Sequence, residues 1–356
     1  MTNSHTYLPG RLGNPDSTLE NDPRADPRIV AAVLQFGGFA PGVEPPEAGA
    51  SYEDCLAYCE EFERTAALAN PELLAALPVF ESVEKSTEFI EGADGNTIKL
   101  LIHKPVAQNG PVPCVIHLHG GGMVMMTTEE PGYIRWRDSL SDKGVVAIGV
   151  EFRNGGGELG THPFPAGLND CASAVRWVRS NMESLGISSI VVSGESGGGN
   201  LSLATALKAK QEGWIDEIDG VYAMCPYILG QYAEPPNNLL SLTENDGYML
   251  DCVMMTSLVK VYDPEGQHAD NPLAWPYHAS IDELKDLPPH VISVNELDPL
   301  RDEGLAYYSK LLSAGVSVVG RTVNGTPHAG DQGYPDITPE VYQETLRSIV
   351  GFANSL

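Results

Sequence analysis

Basic residues are scarce in this 356-residue chain: 21 lysines and arginines stand against 48 aspartates and glutamates, a formal net charge of −27. Such a surface repels phosphate backbones and anionic lipid, so no nucleic acid is expected as a partner and the ligand is expected to be neutral or cationic. Charged residues are also few, at 19%, while hydrophobic residues reach 42%; this excludes a mostly disordered chain and leaves material for a sizeable core. No run approaches the roughly 18 apolar residues of a membrane span. The first residues lack a basic region followed by an apolar one, so no signal peptide is expected and a cytoplasmic location is. Cysteines number six, at 55, 59, 114, 171, 225 and 252. Cys55 and Cys59 fall in a predicted helix at a spacing that suits neither a thioredoxin-type pair nor a zinc knuckle, and reduced thiols are the expectation.

The chain divides by pattern. The first 25 or so residues are polar and read as an arm with little structure of its own. Pro27 to Phe36 and Tyr52 to Leu68 carry helical periodicity, and Pro71 opens a further short helix. Residues 1–80 are therefore expected to form an N-terminal arm and helical cap segment, too small for a robust core by itself. Residues 81–356 read as the main domain. Ser86 to Glu91 and Thr97 to His103 alternate about Asp94-Gly95-Asn96, a hairpin signal. Six buried-strand runs follow: Cys114 to Leu118, Val145 to Phe152, Ile190 to Ser193, Gly220 to Met224, His290 to Asn295 and Val316 to Val323. Helical stretches separate most of them, at Tyr133 to Ser141, Ala166 to Leu185, Gly198 to Gln211 and Arg301 to Ala314, and Thr338 to Ala353 closes the chain. This is an α/β pattern: a mostly parallel eight-stranded sheet with helices on both faces, whose chemistry belongs at the carboxyl ends of the strands. Residues 228–289 interrupt the rhythm as an irregular excursion with one helix near 248–262, a possible contributor to the cap.

Three strand exits carry the chemistry. After the third of the eight runs stands His119-Gly120-Gly121-Gly122, whose glycines can turn backbone N–H groups toward a developing oxyanion. Each such donor is typically worth ~3 kcal/mol in a transition state. After Ile190 to Ser193 comes Gly194-Glu195-Ser196-Gly197-Gly198, a G-x-S-x-G between strand and helix that would project Ser196 at the positive end of a helix dipole. The N–H of Gly197 is the expected third donor. A serine hydroxyl needs a base, and in this arrangement the chain order is Ser, acid, His. Asp298 stands at the exit of the His290 to Asn295 strand, with Pro299 read as the first residue of a helix. Glu296 and Asp302 are its rivals. After Asp298 the only histidine is His328, in a loop just past the next strand. His119 reads as a loop brace rather than a base, and a metal pair of His117 and His119 lacks a third ligand, so no metal is expected. Gly155 to Gly160 match G-x-G-x-x-G, but Thr161-His162-Pro163-Phe164-Pro165 blocks the helix a dinucleotide site requires; the run is expected to be a loop near the pocket.

With these motifs in place, the chain resembles the hormone-sensitive-lipase-like family of α/β-hydrolases from about residue 85 to the C-terminus. The matching pieces are His119 to Gly122, His162-Pro163-Phe164-Pro165 with Asp170 and Trp177, Gly194 to Gly198, and Asp298-Pro299-Leu300-Arg301-Asp302-Glu303-Gly304. The resemblance implies an α/β-hydrolase fold and a serine carboxylesterase with no cofactor. Ser196 is then the nucleophile, His328 the base, Asp298 its orienting acid, and Gly121, Gly122 and Gly197 the oxyanion hole. The implied substrates are esters with short to medium acyl chains or a lactone, and the assembly a monomer or homodimer. Departures from the family pattern are Glu195 in place of a common Asp, Gly197 in place of Ala, Ala329-Gly330 after the base, and Phe152-Arg153 in place of a tyrosine-arginine pair. The alternatives are a non-catalytic small-molecule-binding protein on the same fold, and an amidase or lactonase using the same machinery.

Overall fold

The computed structural model describes residues 8–36, 42–69 and 77–356. The helix expected to open at Pro71 lies outside the described residues. Eight strands form one sheet: β1 (Val83–Glu91), β2 (Thr97–Pro105), β3 (Val112–Leu118), β4 (Val146–Glu151), β5 (Ile187–Glu195), β6 (Gly220–Met224), β7 (His290–Asn295) and β8 (Val318–Val323). Their spatial order is β1-β2-β4-β3-β5-β6-β7-β8. β1 and β2 form the antiparallel hairpin, β2 joins β4 antiparallel, and every later pairing is parallel.

The central strands β3, β5, β6 and β7 are buried almost throughout, as continuous apolar runs do when helices cover both faces. β1 is an edge strand and shows the opposite pattern, with only Val83 and Ile90 buried. The long helical stretch expected from Ala166 to Leu185 is broken: one helix ends at Ser180, and Met182–Leu185 forms a separate turn closed by Gly186 in the left-handed region at φ 69°.

The N-terminal residues depart from the expected loose arm. Gly10–Gly13 form one helical turn. Arg24 bonds Asp22 at 2.7 Å and also Glu244, which in turn accepts two 2.9 Å bonds from Arg301. The Tyr248 hydroxyl donates to Asp22 at 3.0 Å, and Leu19 is buried against Tyr248 and Leu297. Polar composition hid this docking because the partners lie more than two hundred residues away in sequence.

Helix Tyr52–Ala69 buries Cys55, Tyr58, Cys59, Phe62, Glu63 and Ala66, the i, i+3, i+4 stripe of an amphipathic helix. It packs on helix Cys252–Tyr262. That second helix begins four residues later than its apolar pattern suggests, because the Asp251 side chain caps it by accepting from Met254 N–H at 2.7 Å.

Beneath this layer, Glu303 is fully enclosed. One oxygen accepts from the Ile228 and Leu229 N–H groups and the Tyr232 hydroxyl at 2.6–3.2 Å, and the other has no partner among the described residues. Burial pushes its pKa up to about 8. A carboxyl whose folded pKa is raised contributes stability that is complete below its unfolded pKa of about 4.3 and lost as pH rises through the folded value. Glu303→Gln, which mimics the neutral acid, is expected to make the melting temperature fall less between pH 5 and 9 than in the wild type. Calorimetry across that range checks it.

Candidate active site

β5 ends at Glu195, and the chain reverses into helix Gly197–Glu212 through Ser196 alone, at φ 57° and ψ −119°. A non-glycine residue there costs about 1–3 kcal/mol and persists only when its surroundings hold it. They do: Ser196 N–H donates to the Met224 carbonyl at 3.0 Å, and the Ser196 carbonyl accepts from Asn200 and Tyr227 N–H at 3.0 and 3.1 Å. Gly194 and Gly198 are required by contact, since a Cβ at either would lie 2.3 or 1.8 Å from the Leu118 carbonyl oxygen.

The loop after β3 faces this turn. Gly121 and Gly122 have φ of 96° and 62°. The Gly121 carbonyl accepts from Val124 and Met125 N–H at 3.1 and 3.2 Å, closing a tight turn. A Cβ on Gly197 would lie 2.6 Å from Met123 N and 2.8 Å from Gly122 N, so the start of the helix and the glycine loop touch through their main chains. The first N–H groups of a helix have no intrahelical acceptor, which leaves that of Gly197 free to face the same space.

Glu195 joins the two loops. Its carboxylate accepts from Gly120 N–H at 2.8 Å and from His117 Nε2 at 3.0 Å. Behind it lies a buried chain of charge. Arg137 Nη1 is 3.3 Å from His117 Nδ1, and its Nε donates to His103 Nε2 at 3.2 Å. His103 Nδ1 meets Asp138 at 2.7 Å, and Asp138 meets the half-exposed Lys85 at 2.8 Å. A guanidinium only donates, so it fixes both imidazoles: each accepts from Arg137 on one nitrogen and donates its single N–H to a carboxylate. Burial lowers the Arg137 pKa to about 10, with Asp138, Glu195 and Glu151 opposing it, so it stays charged at neutral pH. His119 donates from Nδ1 to the Gly120 carbonyl at 2.8 Å and stacks on Phe152 at 4.2 Å. Burial holds its pKa down at about 3, so it is neutral and braces the loop. Phe152 thus keeps the ring of the family's tyrosine, while Arg153 grips Asp170 at 2.9 Å.

His328 and Asp298 meet across the loops after β8 and β7, with Nδ1 and Oδ2 at 2.8 Å. Both are buried, and the other Asp298 oxygen accepts from Leu300 N–H at 2.9 Å. Burial disfavours the imidazolium, but the Asp298 carboxylate, with Cys225 alongside, more than offsets this and holds the His328 pKa well above its ordinary value. The rivals are engaged elsewhere: Glu296 accepts from Gly325 N–H at 2.9 Å, and Asp302 accepts from Ser241 N–H at 2.8 Å. Pro299 does not open the helix as expected. It lies in a turn, and the helix begins at Arg301, because Asp298 first captures the Leu300 N–H.

Ser196, His328, Gly120, Gly121 and Gly122 line one cavity of about 200 Å³. Its other walls come from the N-terminal helices (Ala32, Val33, Phe62), from Met125 and Met126, and from Leu250, Met254, Met255 and Leu258 of the excursion. The Gly155–Gly160 run is a loop, as expected. It backs the glycine loop, with Gly155 and Gly156 N–H donating to the Met123 and Val124 carbonyls at 2.9 and 2.8 Å. Among the described residues, the cluster able to hold a metal is Cys225, Asp298 and His328, with ligand atoms within 4.8 Å of one another. His117 and His119 are not part of it. No helix of the described residues is long and apolar enough to cross a membrane.

Sequence reasoning missed the bracing contacts of Glu195 and Arg137, whose partners lie far from them in sequence.

The fold and this site define the class. Residues 115–331 match the family model described as the alpha/beta hydrolase fold. An arylesterase of Saccharolobus solfataricus is 30% identical over 72% of this chain and 81% of that enzyme. The carboxylesterase NlhH of Mycobacterium tuberculosis is 32% identical over 70% of this chain and 74% of its own. The chain belongs to the α/β-hydrolase family, in its hormone-sensitive-lipase-like branch, and is a carboxylesterase. Among solved structures it is similar to brefeldin A esterase, a bacterial homologue of human hormone-sensitive lipase. That match has 43% identity and a TM-score of 0.90, over 97% of this chain and 98% of that one. Esterase Est22 aligns at 36% identity and a TM-score of 0.82, over 94% and 99%.

Two outcomes are expected from these geometries. Asp298→Asn removes the main group that opposes burial, so the His328 pKa drops, which imidazole ¹⁵N shifts followed against pH will show. Arg137→Met strands His117 and His103 without their donor and takes the buried cation away from Glu195, while Asp138 keeps Lys85; about 3–5 kcal/mol of stability is lost on denaturant unfolding.

Proposed function

We propose that the protein cleaves carboxylic esters by a two-step acyl transfer in which Ser196 is the nucleophile, His328 the base and Asp298 its orienting acid. The observation that carries this reading is the buried His328–Asp298 pair opening on the same cavity as Ser196 and the glycine loop. His328 takes the hydroxyl proton as Ser196 attacks the carbonyl carbon. The N–H groups of Gly121, Gly122 and Gly197 receive the oxyanion. The alcohol departs with the proton from His328, and water resolves the acyl-enzyme by the same route. Asp298 fixes the imidazole tautomer and stabilises its charged form.

Residues 1–80, with part of 228–289, act as the cap that shapes the acyl pocket. Support comes from the cavity walls supplied by Val33, Phe62, Leu250 and Met254. A cavity of about 200 Å³ lined by thioethers and aliphatic groups suits short to medium acyl chains, and the net charge of −27 favours neutral or cationic esters.

Hydrolysis of p-nitrophenyl esters from acetate to palmitate, wild type beside Ser196→Ala, tests the reading. The expected result is turnover that peaks at short to medium chains and falls by about 10⁶-fold in kcat on substitution. Because the base must be neutral and its pKa is raised, kcat/KM should climb with pH along a limb centred above 6.5. No turnover of any ester by the folded wild type would overturn the proposal in favour of an amidase, a narrow lactonase or a binding protein.

A further inference from the structure

The N-terminal helix Tyr52–Ala69 does more than wall the cavity. Glu63, on its buried stripe, is 7% exposed and has no cation within bonding distance among the described residues. A carboxylate removed from water in this way needs other compensation. Its oxygens divide between two loops of the main domain: Oε1 accepts from Met126 N–H at 2.5 Å, and Oε2 accepts from Glu158 N–H at 2.6 Å.

Both loops bear on the reacting centre. Met126 directly follows the turn that Val124 and Met125 close on the Gly121 carbonyl, and its own φ is 73°, a strained value for a side chain other than glycine. Glu158 ends the glycine run whose Gly155 and Gly156 bond the Met123 and Val124 carbonyls. Asn154 adds a bond from its side-chain amide to the Met126 carbonyl at 2.6 Å. The seat for the carboxylate is shaped for it. A Cβ at Gly157, where φ is 69°, would lie 2.6 Å from Glu63 Oε2.

We propose that Glu63 is a positioning residue for ester hydrolysis: the cap helix uses its carboxylate to clamp the two stacked loops that set the glycine turn, so that the oxyanion donors keep their aim only while the cap is docked. This rests on the reading of Gly121 and Gly122 as oxyanion donors. It makes the N-terminal segment part of the rate-determining machinery as well as of the pocket. An interaction that holds the oxyanion site matters chiefly in the transition state, so its loss lowers kcat and leaves ground-state binding nearly unchanged.

The test compares wild type, Glu63→Gln and Gly157→Ala in three readouts: kcat and KM for p-nitrophenyl butyrate, inhibition by an alkyl trifluoromethyl ketone, and the melting temperature. The ketone forms a tetrahedral adduct on a serine nucleophile and so reports the oxyanion site directly. Glutamine can accept one N–H but turns an N–H₂ toward the other. In Gly157→Ala the carboxylate is intact but displaced. The expected result is a fall in kcat of roughly 10–100-fold in both variants, a parallel weakening of the ketone, and KM within about threefold of wild type. A rise in KM alone, or unchanged ketone affinity beside a lowered melting temperature, would overturn the clamp and leave Glu63 as a packing residue. If Glu63→Gln does not fold, Gly157→Ala decides by the same readouts. The clamp and the reading beneath it fail differently. Activity lost in Ser196→Ala but unaltered in Glu63→Gln and Gly157→Ala sinks only the clamp, whereas activity that survives Ser196→Ala sinks the triad itself.

Discussion

The arrangement depends on one buried carboxylate. Glu195 precedes the strained serine and also receives the N–H of Gly120, so the turn after β5 and the loop after β3 share an anchor. An ionised carboxylate in that position is tolerable only with compensation nearby. The compensation reaches it through the His117 imidazole from Arg137, and continues through His103 and Asp138 to Lys85 at the surface. The sheet is what makes this possible. β3 lies between β4 and β5, which puts His117 one strand away from Glu195 and within reach of the helix that carries Arg137.

The cavity, by contrast, is assembled from parts remote in sequence. The sheet supplies the serine turn and the glycine loop. Helix Tyr52–Ala69 and helix Cys252–Tyr262 pack together above them. The arm of residues 8–26 is fastened by Asp22, Arg24 and Glu244, and Glu244 is gripped from the other side by Arg301 at the start of the helix that follows Asp298. The acid of the His328 pair and the N-terminal arm are therefore connected through Glu244 and through Asn245, which accepts from Arg24 at 3.3 Å and donates to the Asp298 carbonyl at 3.1 Å.

Much of this was legible in the sequence because the controlling signals are local. β6 and β7 fall on their predicted residues, since an apolar run bounded by polar turns has few ways to be read. Asp298 and His328 were found from chain order and strand exits, and the structure brings them into contact. What escaped depended on distant partners. The polar arm looked unstructured because Arg24 and Asp22 gain their partners only when the 244–248 segment is folded beside them. Arg137 drew no reading because nothing near it in sequence announces burial. Pro299 misled because a proline suits both a first helical turn and the turn before it, and the choice was made by the bond from Leu300 to Asp298.

Gly198 and the Leu118 carbonyl come together with no room for a side chain between them. Elsewhere in a protein, two elements are separated by side chains whose torsions flicker among rotamers, and their spacing is an average over those states. Here the serine turn meets the glycine loop main chain to main chain, and there is no rotamer at the seam to average over. The alignment of Ser196 with the glycine loop thus has the stiffness of peptide planes. The thioether-lined walls around the cavity can change their torsions to fit one acyl chain or another without loosening that seam.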